Sequence, residues 1–306
     1  MTLQSPRSKV QRPRSKVPSL LCALLLFGLG TWDLGLWTSA AATRPRYGGT
    51  LRISFSQTAE TGDPALAATL PERLLAQAAY ETLVMLDEGG AAVPGLAAAW
   101  QSEGGGKRWV LQLRPGVRFH NSSLLNAAMV CSSLERSLAQ ARTAAAAQLR
   151  RLHFSCAAPA ETRLVCELAE PLPALPRMLA DRALAIADSD GAGTGPWKMV
   201  AFVAPGPPGQ PPVTAAPRAG RARLEAFEDH WRGRPFLDAV EMELGSDVRR
   251  QRVDFEVRRA DVLVTPTTEA RPAANPRPTR PANLLVLGFH PDSPFLAAGS
   301  AWNKNS

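Results

Sequence analysis

Alternating apolar and polar side chains predict several strands in this chain. Residues 49–56, with the sequence GTLRISFS, alternate as a half-buried strand does, and so does the run RWVLQL at 108–113. Residues 152–168 contain two short alternating runs joined by the turn-like sequence AAPAET, which predicts a hairpin. Three short apolar runs are typical of buried strands, at 239–244, 260–264 and 284–289.

Apolar residues at helical spacing predict helices between these strands. The longest such pattern covers residues 71–85, and a second covers residues 127–141. Asn126 stands just before the second pattern, where its side-chain oxygen can accept from unpaired backbone donors. Shorter helices are predicted at 93–100 and 175–183. Strands alternating with helices predict an α/β fold, and the strand-rich middle argues against a simple doubly wound sheet.

Two segments, at 204–220 and 266–281, are rich in proline and alanine and have no apolar periodicity. Such segments bury too little apolar surface to offset the entropy of ordering, so we expect mobile loops there. Residues 297–306 show no pattern that predicts a structure.

The N-terminus has the three parts of a secretory signal. A basic stretch leads into the apolar run at 20–30, and small residues follow at 38–42. We therefore expect residues 1–42 to be a cleaved signal peptide, which places the mature protein in the periplasm. The alternative is an uncleaved signal anchor, against which Asp33 argues, because an unpaired carboxylate is costly in hydrocarbon.

Export would permit disulfide bonds in the mature chain. Cys156 and Cys166 lie on the two runs of the predicted hairpin, where their sulfur atoms could face each other. The sequence is compatible both with a Cys156–Cys166 disulfide and with a pair of free thiols. Cys131 falls in a helical pattern, which favours a small buried apolar residue.

Charge and motifs argue against several classes of function. The net charge is +8, and the densest basic run, at 249–259, lacks the aromatic residues or the reading motif of a nucleic-acid site. The four histidines have no metal-ligand spacing, and the chain has no nucleophile elbow or phosphate loop. We expect neither catalysis, nor a metal or cofactor, nor nucleic-acid binding.

Five stretches, in order, resemble the large solute-binding proteins of peptide and nickel ABC importers, the oligopeptide- and dipeptide-binding group of extracellular solute-binding family 5. The resemblance runs from about residue 47 to residue 295, essentially all of the expected mature chain. The five stretches are GGTLRI at 48–53 with Asp63-Pro64, ETL at 81–83 with VPGLA at 93–97, LRPGVRFH at 113–120, GTGPWK at 193–198 with His230-Trp231, and RADV at 259–262. The sequence differs from the family at one motif, because residues 121–130 lack the acidic residues that the family has there.

The resemblance implies a periplasmic-binding-protein-like fold of the type II, large three-domain subgroup. It places lobe I at 47–66 plus 186–288 and an accessory domain at 67–185. Residues 289–306 would be the start of a truncated second lobe or a disordered tail, because family members continue well past this length. The second ligand-binding lobe is therefore expected to be missing.

The resemblance also implies a function in binding, without bond chemistry. The chain would be the monomeric periplasmic component that delivers peptides or similar small solutes to an ABC permease in the inner membrane. Because open α/β sheets bind ligands at strand carboxyl ends, four residues after the first strand are the candidate contacts, namely Gln57, Glu60, Thr61 and Asp63. The alternatives are a solvated loop and, for the whole chain, a degenerate paralogue that binds no solute and acts at most as a periplasmic interaction module.

Overall fold

The computed structural model describes residues 47–204, 220–265 and 286–289. Within these residues the strands are β1 (Thr50–Phe55), β2 (Val84–Leu86), β3 (Ala92–Pro94), β4 (Ala97–Glu103), β5 (Arg108–Leu113), β6 (Ser155–Ala160), β7 (Arg163–Glu167), β8 (Trp197–Val203), β9 (Gly220–Ala226), β10 (Ala239–Leu244), β11 (Val262–Thr265) and β12 (Val286–Phe289). The helices are α1 (Leu70–Ala79), α2 (Ala127–Gln140), α3 (Ala144–Arg151), α4 (Leu175–Met178) and α5 (Val248–Glu256).

The larger sheet has the strand order β12-β11-β1-β10-β9-β8. β1 runs parallel to both β10 and β11, and the remaining neighbours are antiparallel. Alternation along β1, β9 and β10 turns one apolar face toward α1, where Phe55, Leu224 and Met242 are buried together with Leu75 of the helix. The mixed sheet and its helices confirm the predicted α/β class.

A second, antiparallel sheet has the order β4-β5-β7-β6 and is packed against α2. Its core contains Leu111, Phe119, Val130 and Leu164, each at most 1% exposed. The hairpin predicted within 152–168 is confirmed as β6 and β7. Asn126 caps α2 as predicted, since its side-chain oxygen accepts from the backbone N–H of Met129 at 2.9 Å.

Three predicted helices differ from the structure. The helix predicted at 175–183 is α-helical only at Leu175–Met178, and a separate 3-10 turn follows at Arg182–Leu184. Residues 93–100 are not helical; they belong to β3 and β4, because pairing with β2 and β5 overrides the helix propensity of their alanines. The helix predicted at 71–85 ends at Ala79, and residues 84–86 form β2 instead. Residues 248–256, which had no predicted structure, form α5 after an N-cap at Asp247.

The Cys156–Cys166 disulfide considered from the sequence is wrong. The two residues are register partners in the β6–β7 hairpin, but Cys156 bonds to Cys131 of α2, with the two Cα atoms 5.4 Å apart. α2 packs across β6 and so brings a partner to Cys156 that the hairpin pattern does not reveal. Cys166 is a fully buried free thiol, and burial raises its pKa to about 12.

The described residues bury two hydrophobic cores, one beneath each of the larger sheets. Leu75 of α1, within the segment predicted as the accessory domain, packs in the core of the six-stranded sheet. The boundaries of the predicted lobe I and accessory domain stay a prediction. The proposed signal at 1–42, nearly all of the two Pro- and Ala-rich segments and the last residues lie outside the described residues.

Candidate functional site

The parallel strands of the larger sheet bring several loops to one edge. Because β1, β10 and β11 are parallel, their carboxyl ends lie at the same edge of the sheet. The loops that follow β1 and β10 are joined there by two backbone hydrogen bonds, from Gly245 N–H to Gln57 O at 2.9 Å and from Ser246 N–H to Phe55 O at 3.0 Å. The four predicted contact residues lie in the loop after β1, at this edge.

Three of the four predicted contact residues use their side chains to hold the loop itself. The Gln57 Oε1 atom accepts from the backbone N–H of Leu70 at 3.3 Å. The Thr61 Oγ1 atom accepts from the N–H of Asp63 at 3.0 Å, and Asp63 Oδ1 accepts from the N–H of Ala65 at 2.8 Å. These side chains therefore set the path of the loop into α1.

Glu60 is the exception in this loop. Its side chain is exposed and makes no hydrogen bond or ion pair with another described residue. Its backbone is fixed, because its N–H donates to Glu72 Oε1 at 2.8 Å. Glu60 thus presents an unengaged carboxylate on a held backbone, the arrangement that suits an amine or a backbone N–H of a ligand.

Glu72, at the start of α1, holds the preceding loop in place through its carboxylate. The residue is 4% exposed, and its carboxylate accepts from the N–H groups of Glu60, Ala68 and Thr69 at 2.8 to 2.9 Å. Thr69 and Glu72 form a reciprocal capping box at the helix N-terminus. Burial acts to raise the pKa of Glu72, but the backbone hydrogen bonds outweigh it and leave the pKa lowered.

A second polar cluster, which the sequence did not reveal, surrounds Glu81. Its carboxylate accepts from Trp231 Nε1 at 2.9 and 3.1 Å and from Thr194 Oγ1 at 3.1 Å, and it lies 3.4 Å from His230 Nε2. Its side chain is only 13% exposed. The contacts join residues that are far apart in sequence, so only the order of the resembling stretches hinted at them.

Trp231 is held on both faces as well as at its edge. The guanidinium groups of Arg114 and Arg232 lie 4.3 and 4.4 Å from the ring centroid. Cation–π contacts of this kind add to the hydrogen bonds with Glu81. The Trp231 side chain therefore packs against the core of the four-stranded sheet and also makes polar contacts with Glu81.

Two glycines of the GTGPWK stretch lie against the end of α1. A Cβ atom on Gly195 would lie 2.5 Å from Ala78 O and 2.8 Å from Ala79 O, and one on Gly193 would overlap Ala79 O as well. Gly195 N–H donates to Ala79 O at 3.0 Å, and buried His120 donates through Nε2 to Gly195 O at 2.9 Å. Glycine is required here for close approach.

The described residues contain no group of three or more histidine, cysteine, aspartate or glutamate side chains that could hold a metal ion. Within the same part of the chain, none of the helices has the length and apolar character to cross a membrane. The described sheet edge offers fixed backbone groups, one unengaged carboxylate and an apolar support behind them.

Solved structures that resemble this chain include a nickel ABC transporter protein, an oligopeptide-binding protein and a periplasmic binding protein. A nickel ABC transporter protein from Bacillus halodurans matches with a TM-score of 0.60 at 23% identity, covering 75% of this chain and 47% of that one. The oligopeptide-binding protein AppA from Bacillus subtilis, in complex with a nonapeptide, matches with a TM-score of 0.60 at 18% identity, covering 74% and 46%. The periplasmic binding protein DppA from Helicobacter pylori, in complex with the peptide STSA, matches with a TM-score of 0.59 at 20% identity, covering 72% and 48%.

These matches confirm the predicted periplasmic-binding-protein-like fold, and the chain spans just under half the length of these structures. The model of the middle region of bacterial extracellular solute-binding proteins, family 5, matches residues 91–298. That range is more than half of the chain and includes three of the five stretches quoted above in full. The chain therefore belongs to the bacterial extracellular solute-binding proteins of family 5.

Proposed function

We propose that this protein is the substrate-binding component of an ABC importer for peptides or similar small solutes. The observation that carries the proposal is the family match over residues 91–298. The neighbouring structures include two peptide-bound proteins and one nickel-transport protein, and we take the proposed class of solute from these proteins. The partner would be a permease of the inner membrane, and the chain would act as a monomer.

The sheet edge formed by β1, β10 and β11 would supply one wall of the solute site. Glu60 would pair with a peptide's amino group, while the engaged side chains of Gln57, Thr61 and Asp63 would keep the loop in place. Binding proteins of this kind close two lobes around a solute, and the closed form docks on the permease. Burying a charged peptide end requires such a paired group, because an unpaired buried charge is costly.

Thermal unfolding of the full chain with a panel of di- to pentapeptides tests the proposal. A solute that binds the folded state stabilises it by RT ln(1 + [L]/Kd), about 2.7 kcal/mol at a hundred times Kd. Replacing Glu60 by Gln should weaken the stabilisation by peptides with a free amino terminus. The matched control is Glu170→Gln, an exposed carboxylate outside the loop. A panel without any stabilising peptide would contradict the proposal.

The rival proposal is a degenerate paralogue that binds no solute and acts at most as a periplasmic interaction module. It is favoured by the loop after β1, where three of the four candidate contacts are engaged within the loop. The same peptide panel separates the two, because the rival expects no solute-dependent shift in unfolding temperature.

Export is the remaining part of the proposal. Residues 1–42 would be removed during secretion, leaving a mature chain in the periplasm. Intact mass of the protein recovered from a periplasmic extract tests this: loss of about the first 42 residues agrees with a cleaved signal, as the small residues at 38–42 predict. A full-length mass in the membrane fraction would instead favour a signal anchor.

A further inference from the structure

The face of the six-stranded sheet that points away from α1 is charged. In register across the sheet, Arg52 of β1 lies beside Glu241 of β10, which lies beside Arg223 of β9. Arg52 is 3.9 Å from Glu241, and Arg223 forms an ion pair with the same carboxylate. Two residues further along β1, Ser54 lies beside Glu243 of β10, and Glu243 lies beside Arg221 of β9.

Helix α5 lies over part of this face and turns polar side chains toward the protein. Gln251 and Asp254 of α5 are 0% and 7% exposed, whereas Val253 of the helix and Val257 at its C-cap are more than half exposed. Arg250 reaches Glu243 at 3.2 Å and Asp254 at 3.5 Å. Arg250 thereby links the polar side of this helix to Glu243 of the sheet face.

Between α5 and the β8–β9 hairpin the same face forms a groove of about 610 Å³. This volume is within the range of small-molecule sites, about 300 to 1,000 Å³. The groove lies on the face of the sheet opposite to α1, whereas the candidate solute loop leads into α1 and its Gln57 accepts from Leu70 of that helix. It is therefore a separate site, and nothing about it depends on the proposed function.

The lining of the groove carries an excess of positive charge. Three carboxylates line it, and each is paired with an arginine; they are Glu241, Glu243 and Asp254. Five arginines line it, namely Arg52, Arg221, Arg223, Arg250 and Arg259. Arg221 has no ion pair with any carboxylate of the described residues. Concave walls with one sign of charge in excess concentrate ions of the other sign.

The groove also contains an unpartnered buried donor. Ser54 is 1% exposed and lines the groove, and its Oγ atom has no hydrogen-bond partner among the described residues. Buried polar atoms are nearly always paired with protein or with something bound. Across the sheet, Ser54 and Arg221 are both register neighbours of Glu243, one on either side, and both line the groove.

We propose that this groove binds a small anion with two or more carboxylate or phosphate groups. Arg221 supplies the guanidinium that is not already neutralised, and its planar donors match either kind of oxyanion. Ser54 donates its hydroxyl hydrogen to a ligand oxygen. The paired arginines, Arg52 and Arg223, supply the surrounding positive field.

Isothermal titration of the full chain with citrate and with pyrophosphate, at constant ionic strength, tests the proposal. Saturable binding of citrate alone assigns carboxylates, and binding of pyrophosphate alone assigns phosphates. Arg221→Gln should weaken binding about tenfold, because one charge-assisted contact is lost. Ser54→Ala should weaken it by a smaller factor. Arg163→Gln, an exposed strand arginine of β7 outside the groove, should leave binding unchanged.

The absence of saturable binding to both anions would overturn the proposal. Equal affinity of the Arg221 and Arg163 variants would also overturn it. The measured heat would then reflect nonspecific attraction of the anion to the positively charged protein. Arg221 has no ion pair to lose, so its variant should fold, and far-ultraviolet circular dichroism checks this. If it does not fold, the Ser54→Ala titration decides in its place: unchanged affinity overturns the proposal.

Discussion

Trp231 donates its indole N–H to both carboxylate oxygens of Glu81, at 2.9 and 3.1 Å, although the residues are 150 positions apart. Glu81 follows α1 and Trp231 follows β9, so the contact joins segments that the resemblance assigns to different domains. A hydrogen bond to a buried charged group contributes more to stability than one between neutral groups. The pair therefore ties the segment after α1 to the segment after β9.

Replacing Glu81 by Gln should lower the free energy of unfolding by about 1–3 kcal/mol, because hydrogen bonds to a charged acceptor are lost and Trp231 loses a partner. Urea denaturation followed by tryptophan fluorescence measures the change. Glu170→Gln, at an exposed carboxylate, is the control and should change stability by less than about 0.5 kcal/mol. Equal midpoints for the two variants would contradict a structural role for Glu81.

The disulfide assignment predicts which cysteine variant keeps the bridge. Non-reducing peptide mapping of the oxidised protein should find Cys131 linked to Cys156, and Cys166→Ser should retain that link. Cys131→Ser should lower the free energy of unfolding by about 2–4 kcal/mol, since it opens a loop that the bridge closes.

A peptide linking Cys156 to Cys166 in the oxidised wild-type protein would contradict the structure. The thiol of Cys166 should resist alkylation in the folded state, because burial raises its pKa to about 12 and excludes reagents. Alkylation after unfolding in denaturant provides the positive control.

The lowered pKa of Glu72 predicts that the protein loses stability in acid. Its pKa in the folded state lies below the ordinary value of 4.5, because the N–H groups it accepts from outweigh burial. The stabilisation is therefore fully present above about pH 4.5 and is lost as the pH falls through the lowered pKa. Chemical denaturation from pH 6 to pH 3 should show this decline, and Glu72→Gln should reduce it.

Glu72→Gln should also lower stability at neutral pH by about 1–3 kcal/mol, because one oxygen acceptor is replaced by a donor facing backbone N–H groups. Glu60→Gln offers a comparison in the same loop, since its exposed carboxylate makes no such bonds. An unchanged pH profile in the Glu72 variant would show that other carboxylates cause the acid transition.

Gly195→Ala should destabilise the protein by about 2 kcal/mol or more, because the added methyl group meets two backbone oxygens of α1 at 2.5 and 2.8 Å. Thermal unfolding measures the loss. Gly89→Ala is the matched control, since its Cβ would meet only the end of the Asp87 side chain at 3.4 Å. Similar unfolding temperatures for both variants would contradict the close packing described for Gly195.

Sequence patterns predicted correctly the helices and strands whose formation depends mainly on neighbouring residues. The alternation at 108–113 and the cap at Asn126 suffice for β5 and α2, and the structure confirms both. The alanine-rich segment that became β4 was misassigned, because its strand state depends on pairing with β5, which no local pattern contains.

The polar contacts were harder to predict for the same reason. Glu81 looks like an ordinary surface glutamate until Thr194 and Trp231 are brought beside it by the fold. Similarly, the pairing of Cys156 depends on where α2 crosses the sheet. The loop after β1 was correctly placed at a strand carboxyl end, yet its use of Gln57, Thr61 and Asp63 for its own hydrogen bonds needed coordinates.

The parallel pairing of β1 bears on the order of events during synthesis. β1 is among the first described segments to leave the ribosome, but its partners β10 and β11 begin at Ala239 and Val262. At ~5–20 residues per second, β1 waits for roughly ten seconds or more before its neighbours exist. Such late closure of distant contacts slows folding, because the entropy of a long loop must be lost before the strands can pair.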